Sequence, residues 1–189
     1  MAPALPWLSL LGPLALYAAA LAPGDARRAA LLTRAAAALA LFASAASLGL
    51  VAYAGPLRTP TLGLAGVGFA LDLDALSAAM ATLVSFVGLV VIAYARNYLA
   101  GAPGQARFAR ALAATLASVL LLILAGNLLQ VWLAWIATSA GLHRLLLHDR
   151  NRPTAVLAAR KKWLVSRLGD ACFLAAMIVA HRGAGSLDY

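Results

Sequence analysis

Long apolar stretches separated by short polar ones organise this chain. Six of them approach the roughly 20 residues that a helix needs to cross a hydrocarbon core of about 30 Å. They run from Leu5 to Ala22, Ala35 to Gly55, Leu76 to Tyr94, Phe108 to Gly126, Leu128 to Leu147, and from near Trp163 to near His181. The apolar residues are chiefly Ala and Leu, both good helix formers. The period-two alternation of strands is nearly absent, which argues against a β-barrel. The pattern predicts an all-α fold: a polytopic transmembrane helix bundle of about six spans. In the first stretch, Ala18, Ala20 and Ala22 are spaced like a signal-peptide cleavage site. No basic residue precedes them, and further spans follow, so a retained helix is expected.

Composition strengthens this reading. Hydrophobic residues make up 64% of the 189 residues and charged ones 11%, against about 25% charged in soluble domains. A formal net charge of +9 on a soluble protein would suggest nucleic acid. Here the basic residues lie between apolar stretches, where they set orientation and meet anionic lipid or an acidic partner, so the bilayer is the expected surroundings and no nucleic acid is. Arg27, Arg28 and Arg34 fall between the first two stretches, Arg96, Arg107 and Arg110 between the third and fourth. Arg144, Arg150, Arg152, Arg160, Lys161 and Lys162 fall between the last two. Of fifteen Lys and Arg, only Arg58 and Arg182 fall on the other side. Basic residues in alternate connections place the N-terminus outside and the connection after the fifth helix in the cytoplasm.

Few residues offer chemistry. Asp170 lies about 10 Å into the sixth stretch from Trp163 at 1.5 Å per residue. A mid-helix Asp costs about 2.5–3.5 kcal/mol on insertion scales and usually faces a bundle interior or a hydrated path. Arg167, three residues earlier, shares its helix face and can pair with it. The pair is a candidate ion-path element, or a pair that fixes helix packing. His143 is a candidate proton relay, or an interfacial polar residue. Five residues separate it from His148, about 140° around a helix, so the two do not form one metal-ligand face. Arg160, Lys161 and Lys162, followed by Trp163, read as a snorkelling collar or as a docking site for a cytoplasmic partner. Asp74 suits the N-cap of the third helix. Cys172, the single cysteine, reads as packing, and Ala45 with Gly49 as a close helix contact. Gly66-Val-Gly68 is too incomplete for a dinucleotide loop, with Asp72 and Asp74 following, and reads as a flexible external turn. No catalytic residue, metal site or cofactor is expected.

From the third stretch onward the motifs form a familiar series. Leu73-Asp74-Ala-Leu-Ser-Ala-Ala-Met80, Tyr94-Ala-Arg-Asn-Tyr98-Leu-Ala-Gly101, Arg107-Phe108, Gly126-Asn-Leu-Leu-Gln-Val-Trp-Leu-Ala-Trp135 and Ser166-Arg167-Leu-Gly-Asp170 resemble the antiporter-like family. That family includes the proton-pumping subunits of respiratory complex I, among them NADH-quinone oxidoreductase subunit L (subunit 5), and the cation/proton antiporter subunits. In the pumping subunits the fifth-helix Trp is followed by a Glu that works with a later lysine; here Trp135 is followed by Ile136, so that carboxylate is missing. The run from Trp135 through His143, with Arg152-Pro-Thr-Ala and Ala158-Ala-Arg-Lys-Lys162, is similar to the DabB-type membrane subunit of the two-component inorganic-carbon accumulation complex.

The resemblance covers roughly residues 65–189 and implies a partner, a cytoplasmic zinc-containing carbonic-anhydrase-like subunit, which Arg160, Lys161 and Lys162 would dock. It implies a bacterial inner-membrane transporter subunit, not an enzyme, that moves protons or Na+ to drive CO2 and bicarbonate uptake. The alternatives are a proton-translocating subunit of NADH-quinone oxidoreductase or a cation antiporter, and a non-transporting fragment. Family members are far longer, with inverted repeats around a midplane path. The expected division is two N-terminal helices over residues 1–63, then the start of the proton-translocating domain over 64–189, in an N-terminal fragment or truncated product.

Overall fold

The computed structural model describes residues 5–59, 62–64, 67–148 and 153–184. A 3-10 turn over Leu5–Leu10 leads into α1 (Leu11–Leu21), followed by α2 (Ala26–Ala54), α3 (Ala75–Tyr98), α4 (Gln105–Ile123), α5 (Leu128–Leu146) and α6 (Pro153–Ala184). The expected helix bundle is therefore present, and two of its helices begin well before their apolar stretches. Asp25 caps α2, its carboxylate accepting from the Arg28 N–H at 3.3 Å, so Arg27, Arg28 and Arg34 are helical. Pro153 opens α6, where its missing N–H would go unbonded anyway, so Arg160, Lys161 and Lys162 stand on a helix and not in a connection. Apolar stretches mark where a helix meets lipid; caps mark where it starts. Arg150, Arg152, Gly66 and the residues from 185 to 189 lie outside the described residues.

By length and composition, α2, α3, α4 and the Val156–Gly183 part of α6 can cross a membrane. The apolar helix Pro6–Leu21 is shorter, and the apolar run of α5 is interrupted by Gln130, His143 and Arg144. Helix α2 packs on α1, α3 and α4; α4 packs on α1, α3 and α5; α6 rests on α5. The core between the first four helices is built from small and branched residues, among them Leu16, Ala37, Ala40, Ala113 and Ala117. Lipid removes the hydrophobic drive between helices, so close backbone approach must supply the contact. Gly12 provides one such approach: a Cβ there would lie 2.9 Å from the Ala40 Cα. Gly141 of α5 does the same against the Thr115 side chain of α4. The expected contact through Ala45 and Gly49 is not made; both are exposed and nothing lies near Gly49. Small residues permit an approach, but only those on the inward stripe receive one. Cys172, expected in packing, is exposed on α6.

The two ends of the bundle differ. At one end, the stretch between α2 and α3 is sewn down and not a loose turn. Strands β1 (Leu57–Arg58) and β4 (Asp72–Leu73) pair antiparallel, as do β2 (Leu62–Leu64) and β3 (Val67–Phe69). Val67 and Gly68 are therefore strand residues. Arg58 meets Asp72 across the first pair at 3.6 Å. Buried Leu71 and Leu73 anchor the stretch. The Gly126 N–H donates to the Ala70 carbonyl at 2.9 Å, tying it to the α4–α5 connection. At the other end the basic connections converge. Arg110 Nη2 donates to the Gly24 carbonyl at 2.6 Å, and Phe108 at the start of α4 meets the His148 ring edge-on at 5.0 Å. The alternation of basic connections in sequence thus becomes one basic end in space.

A candidate ion path between the last two helices

Helices α5 and α6 meet along a polar seam. On α5, Trp132, Ile136, Ser139 and His143 recur at helical spacing and share a face. On α6, Ala159, Lys162, Ser166, Asp170 and Met177 do the same, and each is buried or half-buried. The opposite face of α6 exposes Leu157, Leu164, Val165, Leu168 and Val179, as a lipid-facing surface does. Two contacts set the register. Trp132 Nε1 donates to the Asp170 carbonyl at 3.1 Å. Lys162 Nζ donates to the Ser139 carbonyl at 2.6 Å and to its hydroxyl at 2.7 Å. The helices therefore run antiparallel, with Trp132 level with Asp170 and Ser139 level with Lys162.

Asp170 is the most deeply placed charge, 5% exposed. Arg167 Nη2 lies 2.7 Å from its Oδ2, with the Arg167 side chain 37% exposed. The approach lacks hydrogen-bond alignment, so both carboxylate oxygens and Arg167 Nε are left without a hydrogen-bond partner among the described residues. The Arg167 guanidinium also sits 6.0 Å from the Trp163 ring centre. A carboxylate paired in charge but with hydrogen-bonding capacity to spare can accept a proton or a hydrated cation. Among the described residues the seam brings together charged and hydrogen-bonding groups, with no nucleophile and base in contact.

The remaining candidates separate. His143 lies one turn beyond Ser139, away from Asp170, and its buried Nδ1 has no hydrogen-bond partner among the described residues. His148 faces Phe108 of α4. Arg160 and Lys161 are exposed, while Lys162 turns into the seam. Trp132, Ser139 and Ser166 were not singled out from sequence. Their signal was there: Trp132 and Ser139 are seven apart, and Ser166 sits four from both Lys162 and Asp170.

Residues 61–109 match the family model of the N-terminus of chain 5 of NADH-ubiquinone oxidoreductase, complex I. The likeness to the antiporter-like subunits is shown. The chain is 43% identical over 127 residues to the "Probable inorganic carbon transporter subunit DabB2" of Halothiobacillus neapolitanus, covering 67% of this chain and 23% of that one. It is 39% identical over 107 residues to the corresponding DabB protein of Hydrogenovibrio crunogenus, covering 56% and 21%. It is 33% identical over 138 residues to NADH-quinone oxidoreductase subunit L of Escherichia coli, covering 72% and 22%. The chain thus spans about a fifth of the length of these curated relatives. In structure it is similar to a subunit of the membrane-bound sulfane sulfur reductase, an archaeal respiratory membrane complex. The TM-score is 0.75 at 22% identity, covering 96% of this chain and 28% of that one, a likeness of fold. Its apolar helices and antiporter-like relatives make this a multi-pass membrane protein.

Proposed function

We propose that this chain works in the membrane subunit of an ion-gradient-coupled inorganic-carbon uptake complex in a bacterial inner membrane. Protons or Na+ move along the α5–α6 seam, with Asp170 and Arg167 as its polar axis and His143 toward its basic end. The chain is then a transporter subunit and not an enzyme; CO2 hydration belongs to a cytoplasmic zinc-containing carbonic-anhydrase-like partner. The observation that carries the reading is the buried Asp170 carboxylate, with unused acceptor capacity on a lipid-embedded helix. The identity to the DabB-type relatives, 43% and 39%, supports inorganic carbon as the cargo, and Ile136, where the pumping subunits of complex I have an acid, agrees. Exposed Arg160 and Lys161 at the basic end suit the docking of an acidic surface; Lys162, bonded to Ser139, is withdrawn from it.

A second reading is a proton-translocating subunit of NADH-quinone oxidoreductase, favoured by the match to subunit L over 72% of this chain. Two measurements on the gene product that includes this chain test the path and separate the readings. In membrane vesicles, D170N lowers ion flux at least tenfold; unchanged flux removes the path from Asp170. Purification from native membranes recovers a soluble zinc protein; recovery of quinone-oxidoreductase subunits without one favours the second reading.

A further inference from the structure

We propose that Lys162 is a proton-carrying member of the α5–α6 path, standing between the basic end and Asp170; this rests on the ion-path reading above and adds a residue to it. Three observations converge. Lys162 does not reach outward as a collar residue would: its ammonium donates to two oxygens of Ser139 on α5. Its neighbours Arg160 and Lys161 are exposed, so the inward turn is particular to Lys162. Asp170 lies eight residues on, about 12 Å along the helix, with half-buried Ser166 between them on the same face.

An ammonium has three donors, and Ser139 engages two of its directions, leaving one for a neighbouring hydroxyl or water. Lysine can release a proton where arginine cannot. The step is a proton transfer alone. An Nζ–H bond of Lys162 breaks and its electron pair stays on nitrogen. The proton passes through Ser166 and intervening water, and an O–H bond forms on the Asp170 carboxylate. The neutral amine then regains a proton from the basic end. Among the described residues, the charged and titratable groups of α5 and α6 on this side of the seam are His143 and Arg144 from α5, and Arg160, Lys161, Arg167 and Asp170 from the helix of Lys162 itself. Asp170 is the one carboxylate among them, and so the acceptor for a proton that leaves Lys162.

The test is proton flux in membrane vesicles carrying K162R, K162M or D170N in the gene product that includes this chain, each normalised to its level in the membrane. The expected result is at least a tenfold loss in all three. K162R decides the matter, because arginine keeps the positive charge and the donors to Ser139 but holds its proton. Retained flux in K162R makes Lys162 a helix staple and overturns the proposal. If K162M fails to accumulate in the membrane, K162R alone carries the test. Wild-type flux in both lysine variants alongside loss in D170N overturns the role of Lys162 and leaves the Asp170 path intact. Wild-type flux in D170N overturns the path itself, and the Lys162 proposal with it.

Discussion

Where α1 crosses α2, the contact is Gly12 against the Ala40 backbone; where α5 meets α6, it is Trp132 and Ser139 against Asp170 and Lys162. In the four-helix core most hydroxyls turn back on their own helices; Tyr17 and Ser118 also bond across α1 and α4 at 2.7 Å, and Ser85 Oγ is buried with no hydrogen-bond partner among the described residues. Thr33 donates to the Ala29 carbonyl, Ser47 to that of Ala43, Thr115 to that of Ala111 and Ser118 to that of Ala114. Such groups are satisfied locally and leave the helix surface free to pack on small residues. In the seam the polar groups reach across, and the bonds between helices do not use all they offer. Among the described residues, Asp170, Arg167 and His143 each keep a buried polar atom without a hydrogen-bond partner. The difference teaches where function can reside. A core that satisfies most of its polar groups within each helix is held chiefly by its packing. On the proposed path, the seam's spare donors and acceptors are where a proton or ion would be exchanged.

The largest expected effect tests the seam's ion pair. R167A strips the countercharge from a carboxylate that stays buried. Loss of one partner from a fully buried pair costs about 3–5 kcal/mol; Arg167 is more than a third exposed, so water screens part of the pair and the expected cost is about 2–3 kcal/mol. Removing both charges in R167L/D170L restores most of the stability, because hydrocarbon accepts leucine. Thermal unfolding of the purified protein in detergent measures both. A double variant as unstable as R167A would assign the loss to packing and not to charge.

The bundle is legible in the sequence because hydropathy reports where a helix meets lipid, and the basic connections report orientation through a separate signal. Asp74 as the cap of α3 and Asp170 as the buried acid are legible for similar reasons: each is a polar residue whose position leaves few uses. The seam is not legible as a whole. Whether Lys162 belongs to a collar or to a path depends on where α6 begins, and the helix starts at Pro153, well before its apolar stretch. The distinction between Ala45–Gly49 and Gly12 or Gly141 is hidden too, because a small residue does not announce which helix faces it. The strands between α2 and α3 are hidden because each is only two or three residues long, and the stretch is held in part by bonds of Ala70, Leu71 and Asp72 to the α4–α5 connection, a partner distant in sequence.

A glycine pair sharpens the core side of the comparison. G141V drives side-chain atoms into Thr115 on α4 and is expected to cost about 1–3 kcal/mol, as overpacking does. On α6, nothing lies near a Cβ built on Gly169. G169A should therefore stabilise, by up to about 1 kcal/mol from helix propensity alone. The same unfolding measurement reads both. Equal losses at the two sites would mean that α6 is as closely packed as the core.

The smallest effect lies at the strand-lined end, outside the membrane-spanning part. Asp74 accepts from the Ser77 N–H at 2.6 Å while Ser77 Oγ accepts from the Asp74 N–H at 2.9 Å, a closed capping box. These hydrogen bonds hold the Asp74 carboxyl below its ordinary range. Its contribution is therefore complete above the unfolded carboxyl value of about 3.9 and is lost as pH falls through the lower folded value. D74A should cost about 1 kcal/mol at neutral pH, while D74N keeps an acceptor at the cap and removes the dependence on pH. Hydrogen exchange in the first turn of α3, followed from neutral to acidic pH, distinguishes them. Wild-type protein should lose protection there as the carboxyl protonates, and D74N should not. Matching acid profiles in the two would assign the loss to another acid at this end, such as Asp72 facing Arg58 across the strands.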